Sequence, residues 1–148
     1  MIKRKEKNMK KNVVITVRGL QAEINAEEPV EVISAGTYLR KENTHYLSYD
    51  EADENGKLTK NRIKITPEAI EMVKQGGVST QMMFHLGEKQ YACYSTPFGE
   101  LTLGMTTKHI QVEEEEHMIS ASLLYGLEIN GEHMSECKLD IEVKECGR

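Results

Sequence analysis

Tyr49 and Glu51 are the residues of this chain whose types and spacing come nearest to chemistry. They stand two apart, so on an extended strand they point the same way, together with Leu47. A carboxyl set among apolar groups has its pKa raised and could act as a general acid or base. Tyrosine hydroxyls beside it could instead fix a ligand in an otherwise apolar pocket. Arg40 or Lys64 is the expected ion partner of Glu51. Phe84, Tyr94, Thr107 and Tyr125 fall on strand-like segments further along, and with Tyr49 and Glu51 they form the expected lining of an interior ligand site. The competing reading is that the tyrosines pack as core and hydrogen-bond to backbone or to Glu51. No residue is assigned as catalytic.

Other reactive side chains are less organised. Glu113, Glu114, Glu115, Glu116 and His117 are consecutive, and metal ligands must converge, whereas neighbouring strand residues point to opposite faces. A solvated acidic hairpin loop is the expectation. The five histidines show no H-x-H or H-x-x-x-H spacing, so no metal and no cofactor is assigned. Cys93, Cys137 and Cys146 are odd in number and widely spaced, which argues against a disulfide framework or a zinc ribbon. Cys93 is expected to be a small buried hydrophobe.

Charge is unevenly spread. Residues 1–11 carry six Lys/Arg against Glu6, a local +5, while the chain as a whole is −5, which leaves −10 on residues 12–148. The basic stretch reads as a solvated tail. Nucleic acid is not an expected partner, because an acidic body repels its backbone. No apolar run approaches the ~20 residues of a membrane span, no signal peptide is evident, and the expected compartment is the cytoplasm.

The element pattern is alternation with a period of two. Val13, Ile15 and Val17 share one face of a first strand expected over Asn12 to Ile24, and Ile63 and Ile65 oppose Arg62 and Lys64. Leu101, Leu103, Met105 and Thr107 share a face, as do Ile119 through Ile129 and then Leu139, Ile141 and Val143. Asn55-Gly56 and Asn130-Gly131 are strong hairpin signals. Thr66-Pro67-Glu68 looks like a helix N-cap followed by proline at the first turn, yet the surrounding meander favours a strand over Ala69 to Lys74. The sum is eight to ten antiparallel strands in one domain, residues 12–146. Closure into an up-and-down β-barrel removes the sheet edges, with a β-sandwich as the alternative.

Several stretches, taken in order, resemble a YwiB-like bacterial β-barrel family of unknown function related to the calycins. They are Gly36-Thr37-Tyr38, His45 through Glu51, Ile63-Lys64-Ile65, Lys74 with Gly76, Phe84, Tyr94 through Leu101, Thr106 through Ile110, and Tyr125. The resemblance runs from about residue 12 to residue 143 and implies a lipocalin-like or streptavidin-like barrel. It carries no catalytic residue over.

The functional expectation is a non-enzymatic barrel that holds a small, partly apolar ligand inside. One alternative is a dimerisation or protein-interaction module using the Met-bearing wall around Met82 and Met83 or the basic tail of residues 1–11. The other is an enzyme in which Glu51 and a tyrosine serve as acid and base.

Overall fold

Ten antiparallel strands make up the computed structural model, which describes residues 10–19, 31–76, 79–96 and 99–146, the side chains of 94–96 excepted. The strands are β1 (Lys11–Arg18), β2 (Glu31–Lys41), β3 (Thr44–Ala52), β4 (Leu58–Ile65) and β5 (Ala69–Gly76). They continue with β6 (Thr80–His85), β7 (Lys89–Thr96), β8 (Gly99–Glu115), β9 (Met118–Ile129) and β10 (Glu132–Glu145). Among the described residues no helix is long and apolar enough to cross a membrane.

The spatial order is β6-β5-β4-β3-β2-β1-β10-β9-β8-β7. Each strand therefore pairs with its sequence neighbours, except that β1 pairs with β10 and β6 does not pair with β7. The β1–β10 ladder, from Val13 opposite Glu145 to Arg18 opposite Asp140, joins the two halves of the chain. The seam between β6 and β7 is sewn at one end by the turn between them. There Gly87 N–H donates to the Thr107 carbonyl at 2.9 Å, and Thr107 N–H donates to the Glu88 carbonyl at 3.2 Å. The result is a nearly closed barrel, in which almost every strand edge is covered.

The alternation expected from sequence places the core. Val13, Ile15 and Val17, then Ile63 and Ile65, then Ala121, Leu123 and Tyr125, and finally Leu139, Ile141 and Val143 are all buried. Phe84, Met105 and Leu123 are completely so, and the rings of Phe84 and Tyr125 meet at 4.9 Å between centroids. The first strand stops at Arg18; residues 20–24, where the sequence pattern extends it, lie outside the described residues, as do residues 1–9 of the basic stretch.

Residues 69–76 are a strand, with Ile70 and Met72 inward. The helix-cap signature before them is real chemistry in a different role. The Thr66 hydroxyl accepts from Ala69 N–H at 3.0 Å, and Thr66 N–H donates to the Ala69 carbonyl at 2.9 Å. That is the hydrogen bond of an N-cap, used here to close a tight turn from which the chain leaves extended. Asn130 and Gly131 both have positive φ, 51° and 91°, the backbone a two-residue hairpin needs.

Candidate functional site

Apart from Thr107 and the tyrosine hydroxyls, the inward face of the barrel is apolar except near its two ends, and each end carries a polar network. One end holds the start of β1, the β2–β3 turn and the β8–β9 turn; the other holds the β3–β4 turn. Along β3 the two networks, at His45 and Glu51, are six residues apart, about 20 Å.

The first network spans β2, β3 and β8. Tyr38 and His45 flank the Lys41–Asn43 turn on the inward face, with Tyr38 opposite Leu47 and Arg40 opposite His45. The Tyr38 hydroxyl lies 2.8 Å from His45 Nδ1, and the two rings stack with centroids 5.9 Å apart. His45 Nε2 lies 3.2 Å from Glu114 Oε2, and Arg40 donates to Glu114 Oε1 at 2.8 Å. His45 is 2% exposed. Burial lowers its pKa, against the pull of Glu114, so the ring is neutral at pH 7.

Neutrality fixes the protons. Glu114 can only accept, so Nε2 carries the hydrogen, Nδ1 accepts, and the Tyr38 hydroxyl donates to it. Burial raises the Tyr38 pKa to about 12, so the hydroxyl keeps its proton. Its oxygen retains lone pairs for a further donor.

Three members of this network, Tyr38, Arg40 and Glu114, line a cleft of about 420 Å³ at the barrel mouth, whose apolar wall is Val13, Met118, Ile119 and Val143; His45 is buried and does not line it. At its rim Lys11 donates to Glu145 at 3.0 Å, and His117 Nδ1 stands 3.3 Å from the same carboxylate.

The second network is the one centred on Glu51. Lys74 Nζ donates to Glu51 Oε1 and to Asn61 Oδ1, each at 2.8 Å, and Asn61 Nδ2 donates to Glu51 Oε1 at 2.9 Å. The ion partner is therefore Lys74, and neither Arg40 nor Lys64 fills that place. Arg40 is at the opposite mouth, and strand alternation turns Lys64 outward, where it lies 6.0 Å from the Tyr46 ring centroid. Burial pushes the Glu51 carboxyl up, but the hydrogen bonds and charge of Lys74, with the amide of Asn61, outweigh it and hold the pKa below the ordinary value. Glu51 is thus ionised at neutral pH, without the raised pKa a general acid requires.

Of the other sequence candidates, Tyr49, Phe84, Thr107 and Tyr125 all point into the barrel and are buried, while the Tyr94 side chain lies outside the described residues. Burial, with the Glu51 charge, raises the Tyr49 pKa to about 12, and burial raises that of Tyr125 further. Thr107 is 1% exposed, and its hydroxyl has no hydrogen-bond partner among the described residues.

One further expectation fails and another holds only in part. Cys93 is exposed, because the inward position of β7 falls on its neighbour Ala92. The acidic run is solvent-exposed and ends in a hairpin turn, as expected, but most of it is strand rather than loop. Glu113, Glu114 and Glu115 belong to β8, only Glu116 and His117 form the turn, and Glu114 enters the inner network.

Sequence reasoning passed over Tyr38, Arg40, His45 and Glu114 as a set. Tyr38 and His45 were within reach, since a short turn at Lys41–Asn43 sets them diagonally across a hairpin. Glu114 was not, because a β-bulge between Thr107 and His109 inverts the alternation of β8. Leu103, Met105 and Thr107 point inward before it, and Ile110, Val112 and Glu114 after it.

The fold and the two inner networks define a small, nearly closed antiparallel barrel with a polar relay at one mouth. Residues 15–141 match a family model described as a domain of unknown function (DUF1934), and the chain belongs to that family. It is 31% identical over 126 residues to the uncharacterized β-barrel protein YwiB of Bacillus subtilis (strain 168), covering 84% of this chain and 88% of that protein. The crystal structure of the ywiB protein from Bacillus subtilis superposes with a TM-score of 0.73 at 25% identity, over 98% of this chain and 99% of that one.

Proposed function

We propose that the barrel binds a small, partly apolar molecule at the mouth beside Tyr38, with the polar end of the ligand donating hydrogen bonds. The single observation that carries this reading is that Tyr38, Arg40 and Glu114, linked through the buried His45, line a 420 Å³ cleft. A pocket of that size, apolar on one side with a few fixed polar groups on the other, suits a small ligand. The protonation pattern selects its chemistry, because the Tyr38 oxygen has acceptor capacity left and its proton is already committed. Carboxylates Glu42, Glu114, Glu115, Glu116 and Glu145 outnumber Lys11 and Arg40 around the same cleft, which favours an amine or another donor over an acid.

Native mass spectrometry of the purified full-length chain tests this. The expected result is a co-purified mass that leaves on denaturation and is missing from a Met118→Trp variant, in which the indole fills the cleft. A wild-type spectrum showing the polypeptide alone, with no thermal shift against a panel of apolar amines, would sink the reading. The same spectrum reports whether two copies pair, and Met83→Lys tests whether they do so through the wall that exposes Met83.

The unpaired Thr107 hydroxyl favours a second, deeper reading, in which the ligand reaches past the mouth towards Tyr49, Phe84 and Tyr125. Thr107→Val weakens binding in that case and leaves it unchanged if the ligand stays at the mouth.

A further inference from the structure

On the outer face of β2–β5, strand alternation sets Lys60, Arg62 and Lys64 in a row along β4, successive members about 6.7 Å apart. Tyr46, 37% exposed, lies directly opposite Lys64 on β3. These four residues line a shallow groove of about 640 Å³, together with Lys10, Thr37, Ser48, Gln75 and a single carboxylate, Glu71. Four cations against one carboxylate give the groove a net +3 on a chain whose total is −5.

The cations of this row are also free of close ion pairs among the described residues. Lys11, Arg18, Lys89 and Lys108, on other strands, each hold a carboxylate within 3.0 Å. Lys60, Arg62 and Lys64 form no ion pair among the described residues. Arg62 donates to the neutral Gln75 amide at 3.1 Å, and Glu71 is taken up by Gln81 at 3.0 Å. Two acidic residues border the row, Asp50 opposite Lys60 on β3 and Glu71 opposite Lys64 on β5. Lys10 is one of six Lys/Arg within residues 1–11.

We infer that this face binds single-stranded RNA. A line of unpaired cations follows a phosphate backbone, and an exposed aromatic ring within it offers a surface on which an unstacked base can lie. A duplex keeps its bases stacked and gives Tyr46 nothing to receive. The hydroxyls of Thr37 and Ser48 and the Gln75 amide supply partners for ribose 2′-hydroxyls, which DNA lacks. The overall acidity that argued against nucleic acid is an average; the charges are sorted, and this face carries the opposite sign.

Fluorescence anisotropy with a labelled RNA of about a dozen nucleotides and the full-length chain tests the inference at low and moderate salt. Binding is expected to weaken as salt rises. The triple variant Lys60→Gln, Arg62→Gln, Lys64→Gln should lose about tenfold or more in affinity, and its log–log salt slope should shrink by about 2. Tyr46→Ala should cost about tenfold with the slope unchanged. All these side chains except Tyr46 are well exposed, and circular dichroism confirms that each variant is folded. A control that removes three cations elsewhere, at Lys57, Lys138 and Lys144, should bind nearly as wild type. Equal losses in the triple variant and the control, equal affinity for RNA duplex or single-stranded DNA, or binding to anionic vesicles without RNA binding would each overturn the inference.

Discussion

Glu114 Oε2 lies 3.2 Å from His45 Nε2, although the two residues are 69 positions apart and sit on strands β8 and β3 that do not pair. The contact crosses the barrel mouth and depends on the bulge between Thr107 and His109. It also decides the hydrogen position on His45, and through it the direction in which Tyr38 donates. A single irregularity in one strand thus sets the protonation pattern of a wall on two others.

Stability should fall on acidification because of His45. Burial holds its folded-state pKa below the ordinary value of about 6.5. The unfolded chain therefore binds the proton first, and stability present above that pH is lost as pH falls through it, by at most about 1.4 kcal/mol per pH unit. The groups facing His45 are Tyr38, Glu114 and Arg40, and Glu114 is the one that eases protonation. Urea midpoints between pH 7.5 and 5.5 should drop for wild type, drop more steeply for Glu114→Gln, and drop less for His45→Gln. Parallel curves for all three would refute the assignment.

Tyr38→Phe should cost about 1–2 kcal/mol, because it leaves His45 Nδ1 buried with no donor. The ring packing is retained, so the loss reports the hydrogen bond. Nitrogen NMR should still find the hydrogen on Nε2, where Glu114 holds it. A shift of the hydrogen to Nδ1 in this variant would show that Tyr38 sets the tautomer.

Most of the fold is legible in the sequence because a half-buried strand writes its two faces into alternate residues. Ile63 and Ile65 against Arg62 and Lys64, or the run from Ile119 to Leu127, leave no choice of phase once a core must form. Tyr49, Phe84, Thr107 and Tyr125 are legible as inward residues for the same reason. The Glu51 network is half legible: Glu51 is on the Tyr49 face, but Lys74 joins it through the pairing order of β3, β4 and β5. The Tyr38–His45–Glu114 chain is hidden because a bulge is a single extra residue, and Thr107-Lys108-His109 has no composition that marks one. Thr66-Pro67-Glu68 misleads in the other direction, since the same hydroxyl-to-amide bond starts a helix or closes a turn.

Glu51 and Lys74 should be strongly coupled. Their side chains are 30% and 23% exposed, between a surface pair and a buried one. Lys74→Met strands an ionised carboxylate against Asn61 and should cost about 1–3 kcal/mol. The double variant Glu51→Gln, Lys74→Met should recover part of that loss, and the cycle should yield a coupling of about 1 kcal/mol or more. Additive losses in chemical denaturation would mean that solvent screens the pair and that Asn61 alone positions Glu51.

Gly36→Ala should be among the most damaging single-methyl additions in the chain. Gly36 lies opposite Tyr49 on the inner face. A Cβ built there stands 2.4 Å from the Ser48 carbonyl oxygen, 2.7 Å from Ile15 Cδ1 and 3.0 Å from Tyr49 Cβ. The first of these is backbone, held in the β2–β3 ladder, so it cannot swing aside as the end of a long side chain would. Relief requires parting the two strands that carry Tyr38 and His45, at a cost of about 1–3 kcal/mol or more. The expected result is a lowered denaturation midpoint together with faster hydrogen exchange along β2 and β3, while the β8–β9 ladder keeps its protection at low denaturant. A second change, Ile15→Val, trims the neighbour at 2.7 Å but not the carbonyl, and should rescue little. Full rescue by Ile15→Val would show that side-chain crowding, not the strand approach, is what reserves the position for glycine.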